Sequence, residues 1–289
     1  MGGMLRAGPR VRHAFRFGCA GLQATRMRVL FCGDVVGKPG LRALRELLPG
    51  LIGRHQIDLV IANGENTANG AGVTPETAEQ MLACEVNLIT SGNHIWNKRE
   101  IQPYLNEHPD RLLRPANYPK GAPGKGAAIV RTPDGRKLGV VNLEGRVNMP
   151  RDVDSPFTVG LEEVERLRKE TPCILVDMHC EATSEKNALG HYLDGRVSAV
   201  LGSHTHIQTA DERVLRGGTA FITDVGMCGP WDSVIGLRKE AAIERFLTQR
   251  HGSFELGSGD VRLQGAIVDI DDETGRARSI VRVQEKLPE

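Results

Sequence analysis

No stretch of the 289-residue sequence approaches the ~20 consecutive apolar residues that a membrane-spanning helix needs, so a helical membrane anchor is not expected. None of the six cysteines (Cys19, Cys32, Cys84, Cys173, Cys180 and Cys228) forms a C-x-x-C pair, which removes the zinc-knuckle and thioredoxin-like readings. Several lie inside apolar runs, as buried thiols do in a reducing compartment, and a cytoplasmic location is expected. An excess of one charge is also missing. Lys and Arg number 37 against 36 Asp and Glu, so the net charge of +1 gives no whole-surface attraction to nucleic acid or anionic membrane. Repeats and low-complexity tracts are absent, and no linker divides the chain after Met27. Acids are absent from residues 1–26, which carry five arginines: Arg6, Arg10, Arg12, Arg16 and Arg26. No continuous apolar core follows them, so a secretory signal is not expected. Residues 1–26 read as a basic, non-structural extension or as an upstream start, and 27–289 as a single domain.

From Met27 the chain alternates apolar runs with helical stretches. Arg28–Cys32, Asp58–Ala62 and Val86–Thr90 read as strands, and Leu41–Leu51 as a helix. Thr74-Pro75-Glu76 is a helix start: a cap, then proline at the first helical position, then an acid. Later strands are expected at Ala127–Val130, Leu138–Leu143, Cys173–Met178, Val197–Leu201 and Thr219–Thr223. Val261–Asp269 and Arg278–Val283 flank Asp271-Asp272-Glu273-Thr274-Gly275, which predicts a closing hairpin. Early strand–helix alternation implies parallel α/β structure, and the later strands a second, mixed sheet packed on the first. The expected fold is a two-sheet sandwich with helices outside.

Five strands end in metal-competent residues: Asp34; Glu65 with Asn66; Asn93 with His94; His179; and His204 with His206. Ligand sites in open α/β sheets form beyond the carboxyl ends of the strands, so these residues could share one site. Carboxylate, amide oxygen and imidazole suit Mn, Fe(II) or Zn, and thiolate is absent from the set. His204 and His206 stand two apart, which in extended backbone places both rings on one face. Glu65 could bridge two cations, and a pair ~3.5–4 Å apart can clamp a phosphoryl group and activate water. His94, beside such a pair, is suited to protonate a leaving alkoxide. Each residue alone also has a plainer role. Asp34 could cap a turn, Asn66 form an Asx-turn, His179 sit as a core histidine, and His94 orient Asn93. Gly37-Lys38-Pro39-Gly40 lacks P-loop spacing and reads as a turn opening a helix. Cys180 should face the core, opposite His179. Lys186 and Asp224 could touch substrate or support the site. Trp96 and Trp231 could stack a base or simply pack. His13, His55, His108, His191 and His251 read as surface or structural.

Gly33-Asp34-Val35-Val36, Gly64-Glu65-Asn66, Gly92-Asn93-His94, His179 and Gly202-Ser203-His204-Thr205-His206 resemble, in order, the motifs of the calcineurin-like metallophosphoesterase superfamily. Val36 stands where D-x-H has histidine, Glu65 where G-D has aspartate, and Ile95 follows G-N-H. Those departures are similar to the YmdB-like branch. So are Asn63-Gly64-Glu65-Asn66, Glu181-Ala182-Thr183-Ser184-Glu185-Lys186 and Thr223-Asp224-Val225-Gly226-Met227. The resemblance runs from Met27 to about Gln249.

By that resemblance the fold is the α/β/β/α sandwich, and Asp34, Glu65, Asn66, Asn93, His179, His204 and His206 hold two divalent metals. Fe2+ or Mn2+ is favoured over Zn2+ or Mg2+, and His94 is the proton donor. The implied activity is hydrolysis of small phosphodiesters, 2′,3′-cyclic nucleotides first. A link to RNA turnover and a homo-oligomer are also expected. The alternatives are a phosphomonoesterase or nucleotidase, with Arg146, Arg151 and Arg196 meeting the extra phosphate charge, and a non-catalytic scaffold.

Overall fold

The computed structural model describes residues 26–250 and 255–288. In chain order the first half runs β1 (Arg26–Cys32), β2 (Asp34–Val35), α1 (Gly37–His55), β3 (Leu59–Asn63), α2 (Pro75–Ala83), β4 (Leu88–Thr90) and α3 (Ile101–Glu107). It continues with β5 (Ala127–Arg131), β6 (Lys137–Glu144), α4 (Pro156–Leu167), β7 (Ile174–His179), α5 (Thr183–Tyr192) and β8 (Ala199–Ser203). Last come β9 (Arg213–Val214), β10 (Ala220–Ile222), β11 (Met227–Pro230), α6 (Lys239–Thr248), β12 (Val261–Asp271) and β13 (Ala277–Lys286). The expected extension lies outside the described residues except for Arg26, which already belongs to β1. His13, Cys19 and His251 lie outside them as well.

Local chemistry accounts for several boundaries. The Thr74 hydroxyl accepts the Thr77 amide at 3.2 Å, with Pro75 in the first turn, so α2 starts where the sequence places it. The Gly37–Gly40 segment opens α1. That helix runs to His55, beyond the expected Leu41–Leu51, because buried Leu48 and Leu51 hold its last turns in place despite Pro49. Asp271 accepts the Thr274 amide at 3.0 Å and Gly275 takes φ 72°, closing the β12–β13 hairpin.

The strands form two sheets of mixed direction. In one, β1, β3 and β4 run parallel, and β12 lies antiparallel to β1, with β11, β2 and β13 completing it. In the other the order is β5-β6-β7-β8-β10-β9. Between the sheets, Val29, Phe31 and Ile61 meet Val140, Leu175 and Leu201. On the outer faces Leu30 and Val60 pack beneath α1 and α2, and Ile174 and Val176 beneath α4 and α5. Each central strand is buried on both faces, which explains apolar runs rather than alternation. Four layers result, helix–sheet–sheet–helix, as the sequence predicts. The parallel strands β1, β3, β4, β7 and β8 all discharge their carboxyl ends at the same rim.

Candidate metal centre

All eight residues picked out by the sequence converge at that rim. His179 Nε2 is the meeting point. It lies 3.0 Å from Glu65 Oε1, 3.2 Å from Asn93 Oδ1 and 3.0 Å from His204 Nδ1. Those are four lone-pair atoms around one point, with too few protons to pair them all as hydrogen bonds. Glu65, His179 and His204 each offer a ligand atom within 4.8 Å of the others. A second cluster adjoins it. Asp34 Oδ1 stands 3.8 Å from His206 Nε2 and 3.9 Å from His179 Nδ1. Asn66 Nδ2 sits 3.1 Å from His206 Nε2, 3.4 Å from Asp34 Oδ1 and 3.5 Å from Glu65 Oε1. Glu65 touches both clusters. A carboxylate–imidazole–amide set of this kind fits a divalent cation. Asn66 fits only with its amide turned so that oxygen replaces nitrogen, because an amide nitrogen cannot ligate.

The electrostatics favour positive charge. Asp34, Glu65 and His179 are buried to within 1% of fully. Burial alone would drive His179 neutral, but Glu65, Asp34 and Asp177 push its pKa up to about 10. Burial likewise works against Glu65 ionisation, and His179 and His94 hold the carboxyl well below its usual range. Burial raises Asp34 against the pull of His206 and His179. His204, pushed down to about 3 by burial and by its neighbour His179, keeps its lone pair at neutral pH.

The loop bearing His204 and His206 is not extended. Both residues take positive φ, 99° and 65°, so the rings converge through a kinked loop and not through strand alternation. The loop is held from outside. Asp34 Oδ2 accepts the His204 amide at 3.0 Å, and Asp224 Oδ2 accepts the Thr205 amide at 3.1 Å and its hydroxyl at 2.7 Å. Asp224 is paired with buried Lys186 at 2.8 Å, so these two support the loop and do not face the cavity.

A polar layer behind His179 was not singled out from the sequence. His179 Nδ1 meets Ser203 Oγ at 3.0 Å and Asn63 Nδ2 at 3.3 Å. Both of those partners, with Thr90, donate to Asp177 at 2.6–3.1 Å. The signal was present: Asp177 is an acid in an apolar strand, two residues before His179 and so on the same face. Glu144, beside His179 in the β6–β7 register, was also missed; both its oxygens are buried without a hydrogen-bond partner.

His94 borders a cavity of about 400 Å³, together with Glu65, Asn66, His204 and His206. Its Nδ1 is engaged by Asn66 Oδ1 at 2.8 Å, and its amide donates to Glu65 Oε2 at 3.0 Å. Cys180 packs in the outer core with its thiol against Glu185, away from this cluster. Trp96 packs edge-on to Tyr118, and Trp231 lies under Arg262. His55 and His191 fall in the last turns of α1 and α5, and His108 caps α3. Arg146 and Arg151 border a different cavity, and neither they nor Arg196 line this one.

Layer order and rim site together define a metallophosphoesterase-type sandwich. The chain belongs to the YmdB-like protein family, whose model matches residues 30–283. It is 46% identical over 257 residues to the 2′,3′-cyclic-nucleotide 2′-phosphodiesterase of Bacillus subtilis strain 168, covering 89% of this chain and 96% of that one. A hypothetical protein from Thermus thermophilus superposes with a TM-score of 0.82 at 42% identity, over 91% of this chain and 100% of that chain. A phosphatase from Mycoplasma pneumoniae superposes with a TM-score of 0.84 at 34% identity, over 91% of this chain and 94% of that one.

Proposed function

We propose that the chain is a metal-dependent phosphodiesterase acting on small phosphodiesters, 2′,3′-cyclic nucleotides foremost. The observation that carries this is the lone-pair cluster around His179 Nε2 with His94 on the wall of the same cavity. The kinship with the Bacillus subtilis enzyme supports it.

Asp34, Glu65, Asn66, Asn93, His179, His204 and His206 are the proposed ligands of two divalent ions, Fe2+ or Mn2+ before Zn2+ or Mg2+. Such ions supply Lewis-acid polarisation of the phosphoryl group and a nucleophilic water. The protein does the rest. Glu65 reaches both clusters and fixes their separation. The Asp177–Ser203–Asn63 layer holds the His179 ring so that Nε2 faces inward. His94, on the wall of the same cavity, is the group that delivers a proton to the departing alkoxide. Among the described residues no lysine or arginine lines the cavity, which favours a singly charged diester over a doubly charged monoester.

A 2′,3′-cyclic phosphate is an end left by RNA cleavage, so a role in RNA turnover follows from the same chemistry. Among the described residues the five cysteines are free thiols, which fits a cytoplasmic location. Exposed Ile243, Phe246 and Leu247 on α6 are in keeping with a homo-oligomer.

The test compares 2′,3′-cAMP, 3′,5′-cAMP, an aryl phosphodiester and an aryl phosphomonoester with Mn2+- or Fe2+-reconstituted protein. The cyclic 2′,3′ diester should turn over fastest. His94→Ala should keep its metal and lose roughly 10²–10⁴ in kcat. Undiminished turnover in that variant removes His94 as the acid, and no metal-dependent turnover of any ester leaves the scaffold reading.

A further inference from the structure

We propose that the apolar part of the cavity lining is a subsite for the nucleobase, with Leu237 and Leu256 as its principal contacts; this rests on the phosphodiesterase reading above. The cavity lining is divided by chemistry. Glu65, Asn66, His94, His204 and His206 bring polar side chains to it, and Val36, Leu237 and Leu256, with Gly70 and Gly236, much of its apolar surface.

That apolar surface is built and held. Leu237 and Leu256 pair as an isolated antiparallel bridge, the Arg238 amide donates to Glu255 O at 2.8 Å, and the Gly257 amide donates to Gly236 O at 2.9 Å. The bridge joins the two ends of the excursion that carries α6, so a short paired rim stands against the cavity. The glycines keep it flat. At Gly70, φ +86°, an added Cβ would meet Leu256 Cδ2 at 2.9 Å; at Gly236, φ +100°, one would meet Val36 Cγ1 at 3.0 Å. Val36, two residues after Asp34 and only 2% exposed, backs this wall from behind Gly236, where D-x-H sequences have an imidazole. The His206–Ile235 contact, Nδ1 to backbone O at 2.8 Å, ties the wall to the ligand cluster at a fixed span.

A nucleobase has apolar faces and polar edges. Leu237 and Leu256 offer methyl groups and no hydrogen-bonding side-chain atom, so they meet a face and leave the edges unread. The wall therefore favours a large flat group over a small one and does not separate adenine from guanine. It also explains how a cavity with no lysine or arginine among the described residues holds a nucleotide: apolar contact replaces charge.

The experiment measures kcat/KM of the Mn2+-loaded protein on 2′,3′-cAMP, 2′,3′-cGMP, 2′,3′-cUMP and base-free ribose 2′,3′-cyclic phosphate. Equilibrium binding of 3′-AMP against ribose 3-phosphate accompanies it. The two purines should be equal, should exceed the pyrimidine, and should exceed the base-free diester by about tenfold or more through KM. Leu256→Ser and Leu237→Ser should each lower the nucleotide-to-base-free ratio about tenfold, and Leu256→Met should restore most of it. The 3′-AMP preference in binding should fall in step. Equal handling of the base-free diester by the unmodified protein overturns the subsite, as does a serine variant that leaves the ratio intact. If no ester turns over, the phosphodiesterase reading fails by itself, and the 3′-AMP binding preference still decides the subsite.

Discussion

At the scale of single residues, the centre depends on side chains that never touch the cavity. Asp177 receives Ser203, Thr90 and Asn63, and two of those three reach His179 Nδ1. Burial pushes the Asp177 pKa up to about 6, so its partners are what keep it an acceptor at neutral pH. Asp177→Asn alters that acceptor with little change of volume. Metal affinity, measured by competition with a chelating dye, should fall about 10–100-fold while the fold persists. Affinity equal to that of the unmodified protein would remove Asp177 from the support of His179.

Glu144 behaves differently. Burial, against the pull of His179, pushes its carboxyl up to about 7. The unfolded chain loses this proton near pH 4.5, whereas the folded one retains it to about 7. Between those values the native state binds the extra proton, so stability is highest below the window and falls as pH rises through it. Glu144→Gln should abolish that decline and stabilise the protein above pH 7 by about 2–3 kcal/mol. Urea midpoints of both proteins from pH 4.5 to 8 decide the matter; parallel curves would mean that Glu144 ionises freely.

At the scale of elements, the site is made where strand ends approach closely. Gly92 follows β4, and a Cβ there would fall within the His179 ring. Gly92→Ala should leave a cooperative melt and displace the imidazole, so bound metal per chain should drop to a small fraction. Full metal content would show that His179 can move without loss. The His204–His206 loop has a comparable dependence on elements behind it. Its kink leans on Asp224, whose charge is matched inside the fold by Lys186 of α5. Lys186→Met strands a buried carboxylate and should cost about 3–5 kcal/mol, read as a loss of denaturant midpoint.

At the scale of the whole molecule, the β12–β13 hairpin is structural. β12 pairs with β1 from Arg26–Asp271 to Cys32–Gly265, between β1 and β13. It also supplies Gln264, whose carbonyl accepts the Gly33 amide at 3.0 Å, one residue before Asp34. Removing 261–289 exposes the inner edge of β1 and opens the intersheet core, so the shortened chain should show no cooperative melt. A native-like transition in that protein would make the hairpin an accessory.

Much of this was legible because the determining physics is local. Apolar runs mark strands buried on both faces, Thr74-Pro75 marks a helix start, and acids, amides and imidazoles after strand ends mark one rim. The sequence by itself therefore determined the layers, the order of the candidate ligand residues and their position at the carboxyl ends. It did not determine how His204 and His206 meet: strand alternation predicts one face, but contacts from Asp34 and Asp224 hold a left-handed loop instead. Nor did it determine the place of β12, which pairs with β1 across more than 230 residues, where no periodicity records the partner. Only the tertiary structure decided those points, and with them the apolar wall, because Val36, Gly70, Leu237 and Leu256 acquire a common surface when three distant loops are brought together.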